Sequence, residues 1–350
     1  MPESVVPAQI DAPLIDAPQL TAIHMLDAVN GWGLAETAVV RTNDGGVTWY
    51  NLTPPGLTQV GYSVSEAFLD AQHAWIIVAD PGDFRTAGLQ YRTEDGGLHW
   101  SKSAVPFGSG HLTFLDATSG WMLADRGVAA GSNAVSVFQT KDGGSTWDRK
   151  YINDPTVEGA RDSLPLGGLK FGLFPLNMQT AWIGGVVYAP GTVYLYRSDD
   201  AGHSWQVVDL SLPPGVQDSE LAFEDLQFVD AQHAFLTLRI TGNEYHLAVY
   251  VSSDGGDTWS LTPLLIPNGG SADFVSAQEG LVWNGDQFYV TRDAAQTWTT
   301  VAPDVVFGDT FARMDFVRLA DGWVITYDST SRYGLYRTAD GGATWTSLFP

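Results

Sequence analysis

The 350-residue chain contains no cysteine. That excludes disulfides, thiol nucleophiles and Cys-ligated metals. Cations are scarce: 17 Lys and Arg stand against 40 Asp and Glu, for a net charge of −23. Such a surface repels phosphate backbones and anionic lipid, which argues against nucleic-acid binding. It favours solubility, and it would attract a basic partner or divalent cations. No apolar run approaches the roughly 18 residues of a membrane span. The first residues have neither the basic n-region nor the apolar h-region of a signal peptide. Residues 1–19 read instead as a Pro/Ala-rich leader or linker. Sustained helical periodicity is also missing. So are a calcium-type Asp-x-Asp loop, a phosphate loop, a dinucleotide fingerprint and a Gly-x-Ser-x-Gly elbow, and no metal or cofactor is expected.

What the chain does have is one short phrase, repeated seven times. It runs Thr42–Trp49, Thr93–Trp100, Thr140–Trp147, Ser198–Trp205, Ser252–Trp259, Thr291–Trp298 and Thr338–Trp345. The pattern is Ser/Thr-x-Asp-x-Gly-x-Ser/Thr-Trp, with His99 in place of a hydroxyl in the second copy. A fixed period of roughly 40–50 residues signals a propeller or a solenoid. Around each copy lie four short runs of β-branched and aromatic residues, punctuated by Gly, Asn and Asp. Four strands per repeat is the make-up of a propeller blade. The expected fold is therefore all-β, a seven-bladed propeller of four-stranded antiparallel blades. Its blades would cover about 20–52, 62–104, 110–152, 168–210, 222–264, 271–302 and 311–350, in a single domain 20–350. The last repeat carries its own fourth strand, so ring closure needs no strand exchange. The leader 1–19 is free to add an edge strand over a neighbouring blade.

The phrase explains its own composition when placed in the turn between the third and fourth strands. Asp44, Asp95, Asp142, Asp200, Asp254, Asp293 and Asp340 can each accept backbone N–H bonds from residues further on. The Gly supplies positive φ. Trp49, Trp100, Trp147, Trp205, Trp259, Trp298 and Trp345 anchor the turn by burying a ring. The sixth copy has Ala295 at the Gly position and should be the most strained or altered. The other six tryptophans lie in or beside the second strands: Trp32, Trp75, Trp121, Trp182, Trp283 and Trp323. All 13 are thus assigned to packing rather than to ligand stacking.

These turns resemble the Asp-box, or BNR repeat, of sialidases, xyloglucanases and the photosystem II stability/assembly factor-like group. The last group is the most similar in blade number, length and the rhythm Arg-Thr-x-Asp-Gly-Gly-x-Thr-Trp. That resemblance implies a non-enzymatic, extracytoplasmic assembly or binding factor. A sialidase-like site would imply three arginines clamping a carboxylate. Here Arg41, Arg92, Arg197 and Arg337 share one register just before the box, which reads as structure.

Function is therefore sought on the face opposite the boxes, in loops that do not repeat. The candidates for binding are Asp80, Asp83 and Arg85 in 79–88, Arg126 in 124–134, and Arg161 in 151–167. They continue with Arg239, Tyr245 and His246 in 239–246, Arg313, and Tyr327, Asp328 and Arg332 in 327–333. The expected role is a non-catalytic scaffold of the bacterial cell envelope, monomeric, holding a protein or glycan partner. A glycoside hydrolase with paired carboxylates and a structural module of a larger exported protein are the alternatives.

Overall fold

A computed structural model describes residues 10–83, 85–242, 244–330 and 332–349. Among them there is no α-helix, only two single-turn 3-10 segments, Gly61–Ser63 and Gly308–Thr310. No helix is long and apolar enough to cross a membrane among the described residues. Everything regular is β-strand, paired antiparallel in chain order, as short alternating segments between Gly- and Asp-rich turns require.

The first sheet sets the pattern. Strands Leu20–Met25, Gly31–Ala35, Val39–Thr42 and Trp49–Asn51 lie side by side in that order. Every residue of Gly31–Ala35 is buried, because this strand has sheets on both faces. Four further sheets are four-stranded: 64–105, 110–152, 272–301 and 311–347. A nine-stranded sheet holds two more runs of four, 169–207 and 220–261. The two runs meet at Val186 and Ala222, and Ile266–Pro267 adds to the strand Tyr245–Ser252.

The leader's strand pairs within its own sheet, while Ile10 and Ala12 pack against a cluster shared by the first and second sheets. Strand Leu14–Ile15 pairs with the outer strand, Leu14 opposite Tyr50 and Ile15 opposite Trp49. That outer strand presents a row of otherwise open backbone groups, which the leader strand pairs and covers. Residues 1–9 of the leader lie outside the described residues.

Each box follows the third strand of its sheet. In the first copy the Thr42 hydroxyl bonds Asp44 Oδ1 at 2.9 Å and accepts the Gly46 N–H at 2.9 Å. Asp44 in turn accepts the Thr48 N–H at 2.9 Å and its hydroxyl at 2.6 Å. The same web recurs around Asp142, Asp200, Asp254, Asp293 and Asp340. In the second copy His99 takes over the hydroxyl's role, with Nδ1 2.6 Å from Asp95 Oδ2. The sixth copy keeps every bond, so it is not altered. It is strained, because Ala294 and Ala295 sit at φ 55° and 62°, where a Cβ is unfavourable.

Sheet-to-sheet packing runs through the second-strand tryptophans. Trp32, Trp75, Trp121, Trp182 and Trp323 are fully buried. Each such ring contributes on the order of 1.5–3 kcal/mol. Four of them also donate an indole N–H to the following sheet: Trp32 to Asp70 O, Trp75 to Gly143 O, Trp121 to Asn177 O, and Trp323 to Gly45 O. The last of these joins the end of the chain to its beginning. The pre-box arginines follow the same logic. Arg41, Arg92, Arg197 and Arg337 each lie 5.0–5.9 Å from the ring centre of their own sheet's tryptophan. Each then reaches a carbonyl of the next sheet: Gly96, Asp142, Gly256 and Ala28. One core cluster, with Leu20, Val40 and Trp49 beside Trp323, Leu335 and Phe349, is shared by the first and last sheets. The innermost strands are linked by side chains opposite the same tryptophan register. Gln227 Oε1 accepts the Phe274 N–H at 2.8 Å, Asp273 Oδ2 the Phe316 N–H at 2.6 Å, and Asp315 Oδ2 the Met25 N–H at 2.5 Å.

Candidate functional site

Strands alternate in direction, so the links between second and third strands lie at the end opposite the boxes. Those links carry most of the candidate residues. Two segments expected to be loops are strand instead. Gly120–Ala129 and Ser132–Thr140 form one long hairpin with an irregularity between Asp125 and Val128, and Ala234–Thr241 and Tyr245–Ser252 form another. Arg239, Tyr245 and His246 are therefore held by a ladder that outruns the sheet, while Arg126 sits in the irregularity of the first hairpin.

The acidic candidates are largely engaged. Asp80 accepts the Gly82 N–H at 2.7 Å, and Asp83 accepts the Thr86 hydroxyl and N–H. Asp328 accepts the Thr330 hydroxyl at 2.7 Å and the Arg332 N–H at 3.0 Å, and these bonds hold its carboxyl well below the usual range. Three of the basic candidates, Arg126, Arg239 and Arg332, have a local acid. Arg126 lies 3.4 Å from Asp154, both nearly buried. Arg239 Nε lies 3.0 Å from Glu224, and Arg332 Nη2 lies 3.1 Å from Asp328. Arg85 sets its guanidinium close against Gly127. The arginines are thus distributed among separate acids and do not converge into a clamp. His246 lies 4.0 Å from Glu244 at the sheet's rim.

Arg161 is elsewhere. Its Nη1 donates to the carbonyl of His203 at 2.6 Å, inside the fourth box. The link 153–168 descends along the flank because the Tyr151 hydroxyl ties it down, accepting the Leu164 N–H at 2.7 Å and donating to Arg161 O at 3.1 Å. Arg161 therefore leaves the candidate face.

Arg313 opens on the axis. Two cavities of about 490 and 570 Å³ share Ile23 and Arg313 and are lined by inner strands of most sheets. Their polar walls include Glu66, Glu224, Asp225, Gln227 and Asp273. Burial pushes the Glu66 carboxyl up, against the opposing pull of the Arg313 charge. Burial and the neighbouring Asp315 push Asp273 well up, and burial raises Asp315 to about 7. These acids were not on the sequence list. The signal that could have found them is a polar residue, Gln227, Asp273 or Asp315, at a repeat position otherwise occupied by His24, Ala67, Thr113 and Phe174. Among the described residues no group of three or more His, Asp or Glu is placed to hold a metal ion.

A second unforeseen feature is aromatic. The ring of Tyr327 packs on Tyr333 at 4.7 Å between centroids. The Tyr333 hydroxyl donates to Glu36 Oε1 at 3.5 Å, and Tyr62 lies near enough to help push the Tyr333 hydroxyl up. These residues come from the ends of three different sheets.

Antiparallel four-stranded sheets in chain order, last against first, with Asp-box turns, define an all-β propeller. The BNR/Asp-box repeat model matches residues 250–261, which contain the fifth box. Among solved structures the chain resembles YCF48 bound to a D1 peptide, at 17% identity over 95% of this chain and 99% of that one, TM-score 0.58. It is similar also to the GH74 xyloglucanase from Xanthomonas campestris, at 13% identity over 97% of this chain and 55% of that one, TM-score 0.63. The extracellular domain of a one-component system from B. thetaiotaomicron matches at 12% identity over 94% of this chain and 45% of that one, TM-score 0.55. Identities this low speak to fold alone. No curated protein sequence matches.

Proposed function

We propose that the chain is a seven-bladed propeller with a box in the third turn of every blade, acting as a non-catalytic binding scaffold of the bacterial cell envelope. Its blades follow the sheets, with 10–19 as a leader that supplies one extra edge strand. The box-distal face meets a protein or glycan partner, and the scaffold works as a monomer. One observation carries this reading: three of the face's carboxylates, Asp80, Asp83 and Asp328, are spent on their own loops, while Tyr62, Tyr188, Tyr245 and Tyr327 are exposed. Tied carboxylates are poor acids and nucleophiles, whereas exposed tyrosines supply contact area at low entropic cost. The peptide-bound neighbour and the extracellular one fit such a role and an extracytoplasmic place.

A glycoside hydrolase is the second reading. Glu66, a carboxyl pushed up by burial beside a large cavity, leans towards the behaviour of a general acid. A panel of polysaccharides separates the two. The scaffold reading expects no reducing-end release above background, and turnover abolished by Glu66→Gln would overturn it.

A further inference from the structure

We propose that Arg313 anchors a small polyhydroxylated carboxylate, of the sugar-acid class, on the axis of the array. This site is independent of what the box-distal face holds. Arg313 stands on the innermost strand of the last sheet, Phe311–Arg318, opposite Ile325. It lies two residues before Asp315 and so on the same face of that strand. Asp315 uses this face to reach the first sheet, at the Met25 N–H. Arg313 accordingly lines both axial cavities together with Ile23 of the first sheet. Its charge is felt by the Glu66 carboxyl of the second sheet, so the guanidinium extends into the space between inner strands. The residue is exposed there.

A guanidinium carries five donors in a planar fork that matches a carboxylate. Among the described residues the Arg313 fork forms no hydrogen bond and no ion pair; Glu66 acts on it only through its field. Arg239 and Lys170, by contrast, are spent. Arg239 lies 3.0 Å from Glu224, and the carbonyls of Asn133, Leu166 and Gly168 accept from the Lys170 ammonium at 2.7–3.0 Å. The two cavities, of about 490 and 570 Å³, fall in the range of small-ligand sites. Thr113, Thr237 and Ser271 line them beside the acids, so the walls offer partners to hydroxyls rather than to a hydrocarbon. Burial pushes the Glu66, Asp225 and Asp273 carboxyls up, and a carboxyl that keeps its proton donates to an anion instead of repelling it. Inner strands ring both cavities, which suits a small molecule entering along the axis better than a segment laid across a face.

The test is titration calorimetry on the intact chain with D-gluconate, D-glucitol, acetate, sulfate and a Glu-Gly repeat peptide. D-gluconate is expected to bind, acetate more weakly, and D-glucitol, which lacks the carboxylate, not at all. Arg313→Met should weaken gluconate about tenfold or more, the loss of a charge-assisted pair. Arg313→Lys should recover only part of this, because an ammonium has no planar fork. Arg292→Met removes the same charge from the sixth box and should leave binding unchanged. Unaltered melting curves exclude loss of fold as the cause. If Arg313→Met alters them, Arg313→Lys carries the test, and full gluconate affinity in that variant refutes the paired geometry. Four further results would overturn the proposal: no gluconate binding; equal binding by Arg313→Met; glucitol or sulfate bound as tightly as gluconate; or tighter, Arg313-dependent binding of the Glu-Gly peptide, which would make the site one for protein acids.

Discussion

At the scale of single residues, the box is a small hydrogen-bond machine whose parts differ in leverage. Asp44 takes three bonds, from the Thr42 hydroxyl and from the Thr48 N–H and hydroxyl, so Asp44→Ala strands three donors. The expected cost is about 1–3 kcal/mol, read as a lower melting temperature. Asp142 accepts the same three bonds, and Asp142→Ala should behave alike. The opposite sign is expected at Ser136. Its side chain is fully buried and its Oγ has no partner among the described residues. Ser136→Ala removes an unmet polar group and should stabilise by about 1 kcal/mol. A lower midpoint in urea would contradict that. The box residues were legible one by one, because Asp, Gly and Ser/Thr at fixed offsets have a local reason. Ser136 was not, since its isolation depends on neighbours from two other strands.

At the scale of elements, the inner strands are joined by acids that are poorly solvated. Burial raises the Asp315 carboxyl to about 7, although the Met25 N–H pulls the other way. In an unfolded chain it would titrate near 3.8. Between those values the folded form holds a proton that the unfolded form has released. Stability from this group is therefore full below about pH 4 and falls as pH rises through about 7. Asp315→Asn should flatten that decline in a series of melting curves from pH 4 to 8. It keeps an oxygen for the Met25 N–H, so the variant should still fold. The boxes behave in the reverse sense. Hydrogen bonds from Thr258 hold Asp254 down to about 2, so its contribution is present above pH 4 and lost as pH falls towards 2. Strand and turn order was readable from the repeat. The extended hairpins at 120–140 and 234–252 were not, because a ladder continues wherever two chains stay in register, whatever their polarity. Arg161 was misplaced for a related reason: a long link can run across a face or down a flank, and one tyrosine hydroxyl decides.

At the scale of the molecule, the first and last sheets hold the array together. Trp323 donates to Gly45 O at 2.8 Å and Arg337 to Ala28 O at 3.1 Å, across nearly the whole chain. No sheet can bury its second strand alone. Ending the chain at Thr338 removes the last box and outer strand, and exposes the cluster around Trp323, Leu335 and Trp49. The expected outcome is collapse of near-ultraviolet tryptophan ellipticity over the whole chain, not loss of one sheet's share. A truncated protein with most of its signal and a sharp transition would show the sheets to be independent.

The sequence by itself determined what is local and repeated: strands, turns and the identity of each box. A residue's partners there lie within about eight positions, so spacing carries the information. Trp100, Trp147, Trp259 and Trp298, expected to bury their rings, are by contrast only half-buried. The tertiary structure alone decided what lies between repeats. It gathered Glu66, Asp273 and Arg313 on the axis, and it brought Glu36, Tyr62, Tyr327 and Tyr333 together from opposite ends of the chain. Those residues have no common motif, because nothing but closure of the array makes them neighbours.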